Sequence, residues 1–144
     1  GAGTDIRSHS ILNDCSFGKN NIIGPHCFIR DDTCVGDSCI VGSFVEVARS
    51  RLGVGVKISH QAFVGDATLG DRVIIGAGAV FCNFDGFGRQ SSEVGVDTLV
   101  GSGTLIVSPI GIGARAVIGA GSVVSKNIED DERFVQSRYR QIDG

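Results

Sequence analysis

Val35-Gly36-Asp37-Ser38-Cys39-Ile40-Val41-Gly42-Ser43-Phe44-Val45-Glu46-Val47 decides the fold. An aliphatic residue returns at every sixth position, Val35, Val41 and Val47, and glycine follows the first two. Six residues turn an α-helix by about 600°, so this stripe would drift around a helix instead of marking one face. Ordinary strand alternation has a period of two and does not fit either. Short strands joined by tight turns do fit, with glycine taking backbone angles closed to other residues.

The same step runs back from this stretch to Ile6 and forward to Phe81, then resumes from Val94 to Val124. Three steps are five residues long: Leu12 to Phe17, Val47 to Leu52 and Val64 to Leu69. A small or β-branched residue follows three places after the glycine position, as at Ala79, Thr98, Thr104, Ala116 and Ser122. Units this short cannot bury an apolar side alone, so they must stack as successive coils. The expected fold class is all-β, a parallel β-helix of hexapeptide repeats. The one long interruption is a step of thirteen from Phe81 to Val94. Its Asn83-to-Ser92 segment is expected to leave the coil as a protruding loop, and loops on rigid scaffolds tend to carry function. Beyond Val124 the acidic run Glu129-Asp130-Asp131-Glu132 precedes Arg133, Arg138 and Arg140, which reads as a short tail or helix. The expected division is therefore a β-helix domain over 1–128 and a C-terminal tail over 129–144.

Composition excludes several classes of function. In 144 residues, 42% are hydrophobic and 20% charged, which argues against disorder. Val and Ile must supply a core that has no Trp and one Tyr to draw on. A net charge of −3 without a Lys/Arg run argues against nucleic acid as a partner. No apolar run is long enough to span a bilayer, and no signal peptide pattern opens the chain. Five cysteines without a CxxC pair read as free, buried thiols in a reducing cytoplasm. The absence of any methionine predicts a piece of a longer or processed protein.

These units resemble the hexapeptide repeats of the left-handed β-helix acyltransferases, whose coils take three units each. That resemblance implies roughly six and a half coils between Ile6 and Val124, about 30 Å of rod at ~4.8 Å per coil. It also supplies the left-handed sense, because general connection rules favour the opposite hand. Phe44-Val45-Glu46, His60, Gly65-Asp66-Ala67, Gly76-Ala77-Gly78, Cys82-Asn83-Phe84-Asp85-Gly86 and Val100-Gly101-Ser102 follow a narrower pattern. In order and spacing they resemble the acetyltransferase domain of the bifunctional bacterial enzymes that make UDP-N-acetylglucosamine.

The resemblance implies acetyl-CoA as co-substrate, an amino-sugar or amino-sugar phosphate acceptor, and a homotrimer with coenzyme between neighbouring rods. It places His60 at the catalytic base and Asn83 beside the acceptor. Arg30 and Arg89 fall at the sugar-phosphate end, Ser102 and Ala120 at coenzyme contacts, and Arg138 near the coenzyme phosphates, where Lys126 is a further cation. On the acceptor side Ala48 replaces a lysine, Ile74 an asparagine, and Phe63 and Phe84 tyrosines, so that side is altered while the coenzyme side is kept. Acetyl transfer to an amine needs a base that titrates near neutral pH, which suits histidine. His9 and His26 lack comparable flanks and are read as structural. A zinc site would need three converging histidines, and the spacing of His9, His26 and His60 gives none, so no metal is expected. Two other readings stay open: an O-acetyltransferase acting on a sugar or small alcohol, and a non-catalytic binding module.

Overall fold

Aliphatic residues at every sixth position form short strands whose inward side chains stack turn upon turn. The structure, a computed structural model, describes residues 1–136. It is a left-handed parallel β-helix of about seven turns, with no helix among the described residues. The first face stacks eight parallel strands in chain order, from Asp5–Ile6 through Ile22–Ile23 and Lys57–His60 to Arg133–Phe134. Its register aligns Ile23, Val41, Ile58, Ile75, Val100 and Ile118 in one inward column. The second and third faces merge into one sheet, because Ile11–Phe17 and Phe28–Val35 bend around a corner without losing their pairing.

Every expected inward residue from Ile23 onward is buried. Ile6 is 52% exposed, and Leu12 and Phe17 are only partly covered, because among the described residues only the second turn pairs with the first. The small polar residues that follow each unit occupy the interior of the corners. Thr104 donates to the Gly101 carbonyl at 2.6 Å and Ser122 to that of Gly119 at 2.6 Å. They satisfy backbone groups that the turn removes from the ladder. A Cβ at Gly42 would lie 2.0 Å from the Ser59 carbonyl oxygen of the next turn, which explains why glycine follows the inward residue.

The chain keeps pairing past residue 128. Ile128 bridges Ile112, and Arg133–Phe134 pairs with Val117–Ile118. The described part of the expected tail therefore holds a strand and no helix. The six-residue rhythm hides this strand, because only four positions separate Val124 from Ile128. The expected loop is also shorter than the sequence suggests. Ser92 opens the strand Ser92–Val94 and its hydroxyl lies 2.6 Å from that of Ser108 inside the rod.

Candidate active site

His60 ends the strand Lys57–His60 on an exposed corner between the first and second faces. Strand register fixes what shares that corner. His60, Ala77, Ser102 and Ala120 each fall two residues after an inward residue, and those four, Ile58, Ile75, Val100 and Ile118, are successive register partners. The four side chains form one column, one per turn, spanning about 14 Å at ~4.8 Å per turn. His60, Ser102 and Ala120 are exposed. Below the imidazole the column is small, so an extended chain can lie along it. The His60 side chain has no hydrogen bond among the described residues. On the turns above, the same corner carries stacked rings: His9 and His26 lie 4.7 Å apart and 9° from parallel, and Phe44 stacks on His26 at 5.5 Å.

A second set of expected residues meets at the corner between the second and third faces. Phe63, Asn83, Phe84 and Arg89, joined by Arg49 and Gly88, line a cavity of about 480 Å³. Gly65 is buried beneath the Phe63 and Asn83 side chains that line it. A Cβ there would lie 2.6 Å from Asn83 Nδ2 and 2.7 Å from Phe63 Cζ. The cavity is roofed by the excursion after Val80–Cys82, an ordered hairpin. Phe84 and Arg89 pair across it, and the Asp85 carboxylate accepts from the backbone N–H groups of Phe87 and Gly88, each at 2.9 Å. Those bonds and one from the Gln90 side chain hold the Asp85 carboxyl below the usual range.

Asp66 organises this corner. Its carboxylate accepts from Arg49 Nε at 2.9 Å and Nη2 at 3.3 Å, and from Asn83 Nδ2 at 2.6 Å. Partial burial pushes the Asp66 carboxyl up, but the bonds from Arg49 and Asn83 outweigh it and hold it below its ordinary range. Arg49 also reaches Asp31 at 2.9 Å. Sequence reasoning passed over Arg49 and did not assign Asp66 a role. The available signal was a charged residue once per turn on this corner, at Asp14, Asp31, Arg49 and Asp66.

The remaining expected residues stand elsewhere. Arg30 does not line the cavity; its guanidinium pairs with Glu46 at 2.8 Å and with Asp31, and lies 5.4 Å over the Phe28 ring. Lys126 is off the His60 column, its ammonium 5.7 Å over the Phe134 ring. Arg138 lies outside the described residues. Ile74 is exposed on the first face and Ala48 is buried, so neither offers the cavity a polar group. His60 and Asn83, expected to serve one acceptor, sit on different corners. Asn83 stands over Asp66, six residues beyond His60, an extended reach of at most ~20 Å. Among the described residues no group of His, Cys, Asp and Glu is placed to hold a metal ion.

No family model matches the chain. It is 41% identical over 141 residues to the bifunctional protein GlmU of Synechococcus sp. (strain CC9605), covering 97% of this chain and 31% of that protein. It is 41% identical over 145 residues to GlmU of Alkalilimnicola ehrlichii, covering 100% of this chain and 31% of that one. The chain thus spans about a third of the length of the curated relatives it matches. Among solved structures, a mutant of perosamine N-acetyltransferase from Caulobacter crescentus in complex with CoA and GDP-perosamine superposes with a TM-score of 0.66. The identity is 20%, over 92% of this chain and 53% of that one, and the likeness is one of fold. At 41% identity across its whole length, the chain is similar to one third of GlmU, and its fold is that of a left-handed parallel β-helix.

Proposed function

We propose that the chain is an acetyl-CoA-dependent N-acetyltransferase acting on an amino sugar or amino-sugar phosphate. The observation that carries the reading is the column of His60, Ala77, Ser102 and Ala120, in which all but the half-buried Ala77 are exposed. Two residues expected to touch coenzyme, and the residue expected to act as base, fall on one line along the rod. The GlmU relatives and the CoA-bound perosamine N-acetyltransferase support the choice of amino sugar and coenzyme.

Acetyl-CoA supplies the acetyl group as a thioester. His60 takes the proton from the attacking amine nitrogen as its lone pair bonds to the thioester carbon. The carbon–sulfur bond breaks, and the proton passes from the imidazole to the leaving thiolate. Phe63, Asn83 and Arg89 hold the acceptor in the cavity they line, where Asp66 fixes the Asn83 amide.

The assembly is a homotrimer with coenzyme in the groove between rods. The base and the acceptor cavity lie on different corners of one chain, so a neighbouring copy brings a His60 column to each cavity. We place the protein in the cytoplasm, a reading supported by five free cysteines. No helix among the described residues is long and apolar enough to cross a membrane. Among the described residues Arg51, Arg72 and Arg115 each pair with an aspartate.

The test is thiol release from acetyl-CoA in the presence of glucosamine, glucosamine 1-phosphate and matched alcohols. Amine acceptors should release thiol, and His60→Ala should lower kcat by roughly 10²–10⁴-fold. Release with alcohols alone, or an unimpaired His60→Ala protein, would overturn the reading.

A further inference from the structure

The corner that carries His60 changes character at that turn. Three residues after each inward residue of the first face the backbone bends into the left-handed region, at His9, His26, Phe44, Gln61, Gly78, Gly103 and Gly121. Above His60 these positions carry rings, and below it they are glycine. Crowding does not require the glycines. A Cβ at Gly78 would meet nothing nearer than 3.7 Å, and one at Gly121 nothing within 4 Å. The bend does not require them either, since His9, His26, Phe44 and Gln61 adopt it with φ of 59°, 56°, 59° and 41°. Bare backbone keeps open the line along which the coenzyme lies in the transfer reading above.

Gln61 is the last side chain before that line, and it follows the base directly in the chain. It is exposed, and its carboxamide makes no hydrogen bond among the described residues. Its backbone is fixed: the N–H donates to the Ser43 carbonyl at 2.9 Å, and the carbonyl accepts from the Gly78 N–H at 2.7 Å. Above it the column is closed by the Phe44 ring, stacked on His26. Attack on a thioester puts negative charge on its carbonyl oxygen, which calls for a donor placed in advance. Other side-chain donors stand elsewhere. The Asn83 amide is tied to Asp66 at 2.6 Å on another corner. Ser102 is two turns below His60, roughly 10 Å at ~4.8 Å per turn. Ser43 pairs with His60 from the turn above, on the side away from the glycines.

We propose that the Gln61 carboxamide is the oxyanion donor of the acetyl-transfer step, which rests on the transfer reading and adds a catalytic residue to it. As the amine lone pair bonds to the thioester carbon, the carbonyl π pair moves onto oxygen and Gln61 Nε2–H donates to it. When the carbon–sulfur bond breaks, that pair re-forms the carbonyl, and the His60 imidazolium gives its proton to the leaving thiolate. The experiment measures thiol release from acetyl-CoA with glucosamine 1-phosphate and glucosamine, and calorimetric binding of coenzyme A, for the wild type, Gln61→Leu and Gln61→Glu. Gln61→Leu keeps the bulk and removes the donor, so kcat should fall by roughly 10²–10³-fold. Coenzyme Kd, acceptor KM and the midpoint of the rising pH limb set by His60 should stay at their wild-type values. Gln61→Glu puts a carboxylate where the charge develops and should turn over more slowly still. A Gln61→Leu protein with wild-type kcat, or with its loss in acceptor KM alone, would overturn the proposal while acetyl transfer stands. A displaced pH limb in Gln61→Leu would overturn it too, by assigning the amide to the imidazole. A wild type that releases no thiol to either acceptor would remove the acetyl-transfer reading, and the donor with it.

Discussion

Replacing Asp66 with asparagine keeps the size of the side chain and removes the charge that gathers this corner. The wild-type carboxylate is only 15% exposed and takes three donated hydrogen bonds, at 2.6, 2.9 and 3.3 Å. Hydrogen bonds to charged groups are worth ~1.5–3 kcal/mol each, and the longest of the three is marginal. Desolvation and solvent screening at a rod corner offset part of the remainder, so a net loss of ~2 kcal/mol is expected. For a chain of this size that is a fall in Tm of about 5–8 °C. The pH dependence gives a second signature. The folded carboxyl titrates below its ordinary range, so its contribution is complete above the unfolded carboxylate pKa of about 4. That contribution disappears as pH falls through the lower folded value. Thermal melts from pH 7 down to pH 2.5 should therefore show the two proteins converging in acid. A Tm difference under about 1 °C at pH 7, or one that persists undiminished at pH 2.5, would refute the assignment of Asp66 as the hub.

Other perturbations separate the rod from the site. Phe81→Ala empties a fully buried position and should cost ~3–5 kcal/mol by denaturant titration, whereas Phe87→Ala at the exposed tip should leave the midpoint unchanged. Gly42→Ala forces a Cβ to within 2.0 Å of the Ser59 carbonyl and should destabilise by ~1–3 kcal/mol as two turns are pushed apart. Co-expressed His60→Ala and Asn83→Ala chains, each nearly inactive alone, should recover roughly a quarter of wild-type thiol release if each site draws on two chains by random pairing. No recovery from verified mixed oligomers would put base and cavity to work within one chain.

Much of the rod is legible in the sequence because a solenoid core is one-dimensional. Each inward residue meets its own counterpart a turn away, so Val41, Ile58 and Ile75 declare their neighbours by spacing alone. The last turn is not legible, because the short step from Val124 to Ile128 breaks the period on which the inference rests. The site is only half legible. Spacing places His60, Ser102 and Ala120 on one line, since all three inherit the register of the first face. Arg49 is another matter. Its importance comes from two carboxylates on the adjoining turns, Asp31 and Asp66, and the direction of a long charged side chain is not fixed by a repeat. Arg30 fails for the same reason. Arg30 was expected at an anionic acceptor, and Asp31 and Glu46 claim it, as Asp31 and Asp66 claim Arg49.

That competition has a consequence for how acceptor choice changes in a fold this stiff. The backbone around the cavity is held by paired turns on either side, so a new acceptor cannot be met by moving a strand. What remains adjustable is the charge balance among side chains on one corner and the hairpin that roofs it. Here Ala48 is buried and apolar, and Arg49 next to it is paired with Asp31 and Asp66. Phe63 and Phe84 present rings without hydroxyls, and Phe87 carries a further ring outside the coil. The least committed guanidinium of this corner is that of Arg89 on the hairpin, 4.0 Å from its nearest carboxylate oxygen. Selection on the acceptor is therefore expected to fall on 84–90, where a substitution costs the rod little.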